Sequence, residues 1–167
     1  LKGKGKRVVS VNPVQTGYAA ISNDWYGITP GTDGLLILSI IRELFLLNKI
    51  DVDYLRRYTN SPWLVIQNPG SDNNGLFLRD KEGRPQIIDR LSGKIVSYDA
   101  KNVSPDMNGE IKLKNGGFAI PVFRILYDKY INDIYSPENI SKKVGLSPNR
   151  IKKFAFDLAD AAFSKEV

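Results

Sequence analysis

The stretch Pro30-Gly31-Thr32-Asp33-Gly34-Leu35-Leu36-Ile37-Leu38-Ser39-Ile40-Ile41-Arg42-Glu43-Leu44-Phe45-Leu46-Leu47-Asn48 decides the fold. Pro-Gly makes a turn, Thr32 and Asp33 suit a helix start, and Gly34 to Asn48 reads as the strongest helix in the chain. That helix is apolar on nearly every side, so packing on more than one face is expected. Its core, Leu35 to Leu47, is broken by Arg42 and Glu43. It is also shorter than the ~20 residues of a membrane-spanning helix, so it reads as a buried one. Upstream, the β-branched run Arg7-Val8-Val9-Ser10-Val11 follows Gly3 and Gly5 and is stopped by Asn12-Pro13, the pattern of a buried parallel strand. Between strand and helix, Val14 to Pro30 carries Gly17, Asn23, Asp24 and Gly27. It reads as loop with one short helix and a short strand near Trp25–Ile28.

Downstream the pattern changes. A second helix is expected over Asp51–Tyr58, with Asp51 as its N-cap. Gly75–Arg79, Pro85–Asp89 and Lys94–Tyr98 are short extended runs. The turns between them, Asp80-Lys81-Glu82-Gly83 and Arg90-Leu91-Ser92-Gly93, both end in Gly. They predict an antiparallel β-meander, an insertion over residues 67–117 that also holds one strand around Ile111–Leu113. Helix returns at Pro121–Ile131, with Phe123, Leu126, Tyr127 and Tyr130 on one face. Ser136-Pro137-Glu138 opens another helix, to Val144. Gly145 ends it, and Ser147-Pro148 caps a last one, Asn149 to Phe163. No repeat is present. Strand, helix, meander and helices together predict an α/β layer with an embedded antiparallel piece.

With 167 residues, 42% of them hydrophobic and 25% charged, the chain fits one globular domain. It contains no Cys and no His. That excludes a disulfide framework, a Cys/His zinc site, a Cys-ligated iron–sulfur cluster and Ser-His-Asp or Cys-His catalysis within this chain. Lys and Arg number 24 against 18 Asp and Glu, a net charge of +6, and four of the cations (Lys2, Lys4, Lys6, Arg7) stand in the first seven residues. The remainder is near balance, and the basic run reads as a solvated end or a meeting point for a phosphate or acidic partner. No residue is assigned a catalytic or metal-ligating role; the Asp51/Asp53 pair sits at solvated positions. The chain starts at Leu1 rather than Met, which suggests a fragment.

Two clusters bear on function. Asn12-Pro13-Val14-Gln15-Thr16 stands at the carboxyl end of the first strand, where ligands of open α/β sheets gather and a polar side chain can bond a ribose hydroxyl. Asn-Pro also ends strands that bind nothing. Gly31-Thr32-Asp33 stands at a helix N-terminus, where free N–H groups and the dipole favour an anion. There Thr32 can simply cap the helix and Asp33 offset its dipole. Alternatively, the Asp33 carboxylate can face a guanine, whose N1–H and 2-amino group are adjacent donors matched by two coplanar acceptors. Adenine would leave that carboxylate short of a donor.

The series Asn12-Pro13, Asp24-Trp25, Pro30-Gly31-Thr32-Asp33 and Arg57-Tyr58-Thr59-Asn60-Ser61-Pro62-Trp63-Leu64-Val65 resembles the molybdopterin oxidoreductases of the dimethyl-sulfoxide-reductase superfamily. The late Tyr135-Ser136-Pro137-Glu138, Gly145-Leu146-Ser147, Ile151 and Ala155 resemble that family's helical pair. The resemblance covers nearly the whole chain, the meander least. It implies that residues 1–167 are part of a Rossmann-like domain holding one of two molybdopterin guanine dinucleotides. Residues matching Asn12, Pro13, Val14, Gln15 and Thr16 would approach the guanosine ribose and phosphates, and those matching Gly31, Thr32 and Asp33 would hold the guanine. Asn12 departs from the usual Asp and Val14 from the usual Arg, which removes a bidentate phosphate partner. The resemblance further implies a molybdenum or tungsten parent enzyme of electron transfer or anaerobic respiration. Its iron–sulfur cysteines and metal ligand would lie upstream and a second cofactor domain downstream, and the parent would pair with an electron-transfer subunit. This chain alone is expected to be inactive, and neither nucleic-acid binding nor direct membrane insertion is expected of it.

Two rival readings remain. Residues 138–163 fit a helix-turn-helix, with Gly145 in the turn, Ile140, Val144, Leu146 and Ile151 in its core, and Asn149, Arg150, Lys152 and Lys153 facing DNA. Yet residues 136–167 hold six Lys/Arg against four Asp/Glu, a net of only +2, and Asp157 and Asp160 lie on the reading helix. An ordinary αα-hairpin explains the same pattern. A free-standing nucleotide-binding domain of another α/β family is the other rival, weakened by the lack of a Gly-x-Gly-x-x-Gly between strand and helix.

Overall fold

The computed structural model describes residues 7–114 and 116–164; the basic Lys2, Lys4 and Lys6 and the adjoining Gly3 and Gly5 lie outside them. In chain order the elements are β1 (Val9–Val11), a 3-10 turn (Gly17–Ala19), β2 (Asp24–Tyr26), α1 (Asp33–Leu46), α2 (Val52–Tyr58), β3 (Leu64–Gln67), β4 (Gln86–Ile88), β5 (Ile95–Ser97), β6 (Ile111–Lys112), β7 (Phe118–Pro121), α3 (Val122–Tyr130), a second 3-10 turn (Asp133–Tyr135), α4 (Pro137–Val144) and α5 (Pro148–Phe163). The fold is therefore mixed α/β, with a parallel pair, several helices and antiparallel strands, the class expected. The chain divides into two units, Leu1–Ile50 with Tyr130–Val167, and Asp51–Lys129.

The first unit is built on β1 and β2, which pair in parallel with Val9 opposite Asp24 and Val11 opposite Tyr26. Only Ser10 of β1 is buried, and Val11 is exposed, so the strand is less buried than its sequence suggests. With β2 as its one hydrogen-bonded neighbour among the described strands, most of β1 stays accessible. Tyr26 and Ile28 join Leu36 and Ile40 of α1, Ile140 and Val144 of α4, and Ile151 and Ala155 of α5 in one core. The Tyr26 ring stacks on Phe154, with centroids 4.6 Å apart. Around its fully buried stripe, α1 half-buries Leu35, Leu38, Ile41, Leu44 and Phe45. The helix buries one stripe (Leu36, Ser39, Ile40, Glu43) and leaves Ile37 and Leu46 exposed, because α4, α5 and the second 3-10 turn lie along that stripe.

Polar contacts lock this unit over long sequence separations. Arg7 Nη2 lies 2.7 Å from both Asp24 Oδ2 and Asp157 Oδ2, and Asp157 also accepts from Lys153. The hydrogen bond from Arg7, then that from Lys153, holds the Asp157 carboxyl below the usual carboxylate range. On α1, Arg42 bonds Glu43 at 2.9 Å, Asp133 at 2.6 Å and the Ile131 carbonyl at 3.2 Å.

In the second unit, Asp51 caps α2 by accepting from the Tyr54 N–H at 2.8 Å, as expected. The meander is present. β4 and β5 form an antiparallel hairpin, with Gln86 opposite Ser97. The run expected at Gly75–Arg79 is no regular strand. It makes only single bridges, Phe77 to Val65 and Arg79 to Pro85, yet its backbone bonds β3 on one side and β4 on the other. β3 pairs antiparallel with β7, Leu64 opposite Pro121, and β6 pairs with β7. Leu64, Ile88 and Ala119 make this unit's core, with Leu78, Ile95, Ile111 and Leu113 packed around it.

Asp89, at the end of β4, ties the hairpin turn to the 104 loop. Its carboxylate accepts from Ser92 Oγ at 2.6 Å, from Ser92 N at 3.1 Å and from Ser104 N at 3.0 Å. The Ser92 hydroxyl, and next the Ser104 N–H, pull the carboxyl down to about 2. Its value in the folded chain thus lies below its unfolded value near 4. The stabilisation it brings is complete above that unfolded value and disappears as pH falls towards about 2. Asp89→Asn should lower the thermal midpoint at neutral pH and flatten the loss of stability between about pH 4 and pH 2. Thermal melts of both chains across that range measure it.

Candidate functional site

Both predicted clusters leave the same edge of the first unit. β1 and β2 run parallel, so Asn12 after β1 and Gly27 to Thr32 after β2 emerge at neighbouring carboxyl ends, and Asn12 N still donates to Tyr26 O at 3.1 Å. This is the edge where ligands of open α/β sheets bind.

Asn12 turns the chain. Its Oδ1 accepts from Val14 N at 3.1 Å, an Asx turn, and its backbone carbonyl accepts from Trp25 Nε1 at 2.8 Å. Its Nδ2 lies 3.5 Å from the Tyr18 hydroxyl. With Oδ1 engaged by its own turn, what Asn12 chiefly offers a ligand is an N–H donor. Pro13, Val14, Gln15 and Thr16 are exposed, and the Thr16 N–H donates to Val14 O at 3.0 Å.

The second cluster is a type II turn feeding a helix. Pro30 and Gly31 are its central residues, and Gly31 has φ +79°, the left-handed value that position requires. A Cβ added at Gly31 would meet nothing within 4 Å. Thr32 occupies the N-cap position but does not cap with its side chain. Instead, its Oγ1 donates to the Thr29 carbonyl at 2.7 Å, tightening the turn. The N–H groups of Asp33, Gly34 and Leu35 consequently have no acceptor among the described residues. Asp33 is the first residue of α1 and is exposed, and no described residue bonds its carboxylate.

Residues that sequence reasoning passes over position this edge. Gly27 lets the Trp25 indole fold back: a Cβ at Gly27 would sit 2.6 Å from the ring. In that pose the indole N–H reaches the Asn12 carbonyl. Arg150 of α5 donates to the Trp25 carbonyl at 2.6 Å and lies over the Tyr26 ring, 4.7 Å from its centroid. The Thr29 N–H donates to the Val144 carbonyl at 2.9 Å, so the end of α4 holds the turn. The sequence signal for this arrangement is Trp25 two residues before Gly27.

These contacts also revise the helix-turn-helix reading. Gly145 does end α4 in the left-handed conformation, and Ile140, Val144, Leu146 and Ile151 are buried. Ser147, however, makes no side-chain cap. The cations assigned to DNA are engaged inside the chain, Arg150 on Trp25, Lys152 on Glu138 and Lys153 on Asp157. Among the described residues no cluster of three His, Cys, Asp or Glu could hold a metal ion, and no helix is long and apolar enough to cross a membrane.

No protein-family model matches the chain. Curated proteins do. A sulfite dehydrogenase subunit of Allochromatium vinosum is 33% identical over 176 aligned positions, which take in 99% of this chain and 18% of that protein. The respiratory nitrate reductase 2 alpha chain of Escherichia coli is 28% identical over 68% of this chain and 9% of its own length. A nitrate reductase alpha subunit of Mycobacterium tuberculosis is 26% identical over 83% of this chain and 13% of its own. The chain spans less than a fifth of the length of each.

Proposed function

Because the chain belongs to the molybdopterin oxidoreductase superfamily, we propose that it is the part of such an oxidoreductase that holds the guanine nucleotide end of a molybdopterin guanine dinucleotide. The observation that carries this is the free carboxylate of Asp33 beside the open N–H groups of Asp33, Gly34 and Leu35, at the carboxyl edge of a parallel pair. That donor set fits guanine. The carboxylate accepts from N1–H and the 2-amino group, and an open backbone N–H donates to O6. Adenine reverses the pattern at both ring positions. Asn12 Nδ2 and the exposed Gln15 and Thr16 side chains suit ribose and phosphate oxygens, in place of the absent cation at Val14.

When bound, the cofactor supplies the metal-centred electron transfer. The residues of this chain bind and orient its nucleoside end, and none of them exchanges a proton or electron with a substrate. Residues 1–167 then form one cofactor-binding α/β segment, with 67–117 as an insertion. The parts proposed for the parent enzyme include an iron–sulfur cluster, for which this cysteine-free chain supplies no ligand, together with an electron-transfer subunit.

The carboxylate is the point of attack. Asp33→Ala should weaken binding of guanosine diphosphate by roughly tenfold to 100-fold, the loss of a charge-assisted pair. Because Asp33 has no partner within the described chain, the thermal midpoint should hardly move. Calorimetric titration of both chains measures it. Equal affinities would remove Asp33 from the site.

A further inference from the structure

We propose that the second unit carries a separate site for a small oxyanion, in the cavity between α2 and the 98–105 loop. The inference goes beyond the nucleotide reading and does not depend on it.

The cavity has a volume of about 350 Å³ and is walled by Arg56, Arg57, Tyr98, Val103, Ser104 and Pro105. That volume is within the range of small-molecule pockets. Two guanidinium groups line it and no carboxylate does. Arg56 is fixed: Nε donates to the Pro105 carbonyl at 3.1 Å and Nη1 to Asp53, leaving Nη2 without an acceptor among the described residues. Arg57 is different. Arg79, Arg84 and Arg124 of this unit each reach an acceptor. Arg57 and Arg90 reach none among the described residues, and of these two only Arg57 lines the cavity.

Neither nearby acid bonds Arg57: Asp53 is paired with Arg56, and Asp99 accepts from the Ser97 hydroxyl at 2.6 Å and stands 3.9 Å from Arg84. No carbonyl at the end of α2 accepts from the Arg57 guanidinium among the described residues; the Leu55 carbonyl accepts from the Thr59 hydroxyl at 2.6 Å. In the cavity wall the Ser104 backbone is pinned, its N–H on Asp89 and its carbonyl on the Arg90 N–H. Its hydroxyl remains unbonded among the described residues. A planar fork with free donors, a second guanidinium held still and an unbonded hydroxyl on a pinned backbone are what an oxyanion recruits.

Inorganic phosphate titrated into the isotope-labelled full chain is the test. The expected result is saturable movement of the Ser104 and Ala100 amides together with the Arg57 side-chain Nε–H. Arg57→Gln should weaken binding at least about tenfold, and Arg57→Lys should restore part of it. Since Arg57 is exposed and unpartnered, an unchanged thermal midpoint is expected of both variants. Non-saturating shifts, shifts confined to residues 12–16 and 29–35, or full affinity in Arg57→Gln would overturn the site. So would an acidic peptide that binds tenfold tighter than phosphate and loses that affinity in Tyr58→Ala, which would assign this face to a protein partner.

Discussion

Replacing Gly117 by alanine is expected to destabilise the second unit by roughly 2–5 kcal/mol, adding the left-handed backbone penalty of a residue with a Cβ to the cost of overpacking. Gly117 has φ +73° and sits immediately before β7. A Cβ there would stand 2.5 Å from the Gln67 carbonyl oxygen and 2.7 Å from Asn68 Cβ. The oxygen belongs to the backbone of the paired strand, since Gln67 lies opposite Phe118, so relief requires β3 and β7 to separate. Denaturant unfolding followed at Trp63 reports it, because that ring packs within 5.5 Å of Phe77 and Tyr98. Gly34→Ala is the control. It meets open space in a helix, so stability should hold or rise by up to about 1 kcal/mol. Equal effects of the two substitutions would refute the clash.

Arg42→Ala should cost the first unit about 3–5 kcal/mol. The loss is less the attraction itself than what it leaves behind, a Glu43 side chain only 11% exposed with its guanidinium gone. The same cut frees Ile131 and Asp133, where the returning chain is fastened to α1. The double variant Arg42→Met with Glu43→Gln should recover much of the loss, because neither charge is then stranded. Chemical denaturation of the single and double variants completes the cycle. A single variant that loses under about 1 kcal/mol would mean that solvent already screens the pair.

Local signals carry most of the helices. Pro30-Gly31 and the apolar run locate α1 to within two residues at either end, and Ser136-Pro137 with Gly145 bounds α4. Gly83 and Gly93, both at positive φ, mark the meander turns. The pairing of β3 with β7 escapes a reading of the sequence because each strand is four residues long and the pairing spans more than fifty residues; the near partner of β7, β6, is only two residues long. The same kind of separation hides the Arg7–Asp157 pair. At the candidate edge, residue types are legible but their commitments are not. Asn12 reads as a polar group for a ribose hydroxyl, whereas its own turn occupies its oxygen; Thr32 reads as a cap, whereas its hydroxyl turns back to Thr29. Side-chain hydrogen bonds to near backbone groups have several close competitors in energy, and only the folded geometry selects among them.

The proposed guanine site is the edge formed by residues 12–16 and 29–35. Its most direct test is amide chemical-shift mapping of the full chain with guanosine diphosphate and, separately, adenosine diphosphate. Guanosine diphosphate should move the amides of Asp33, Gly34 and Leu35 and those following Asn12, with at least about tenfold tighter binding than its adenosine counterpart. Equal binding of the two, or guanine-dependent shifts that leave both segments untouched, would contradict it.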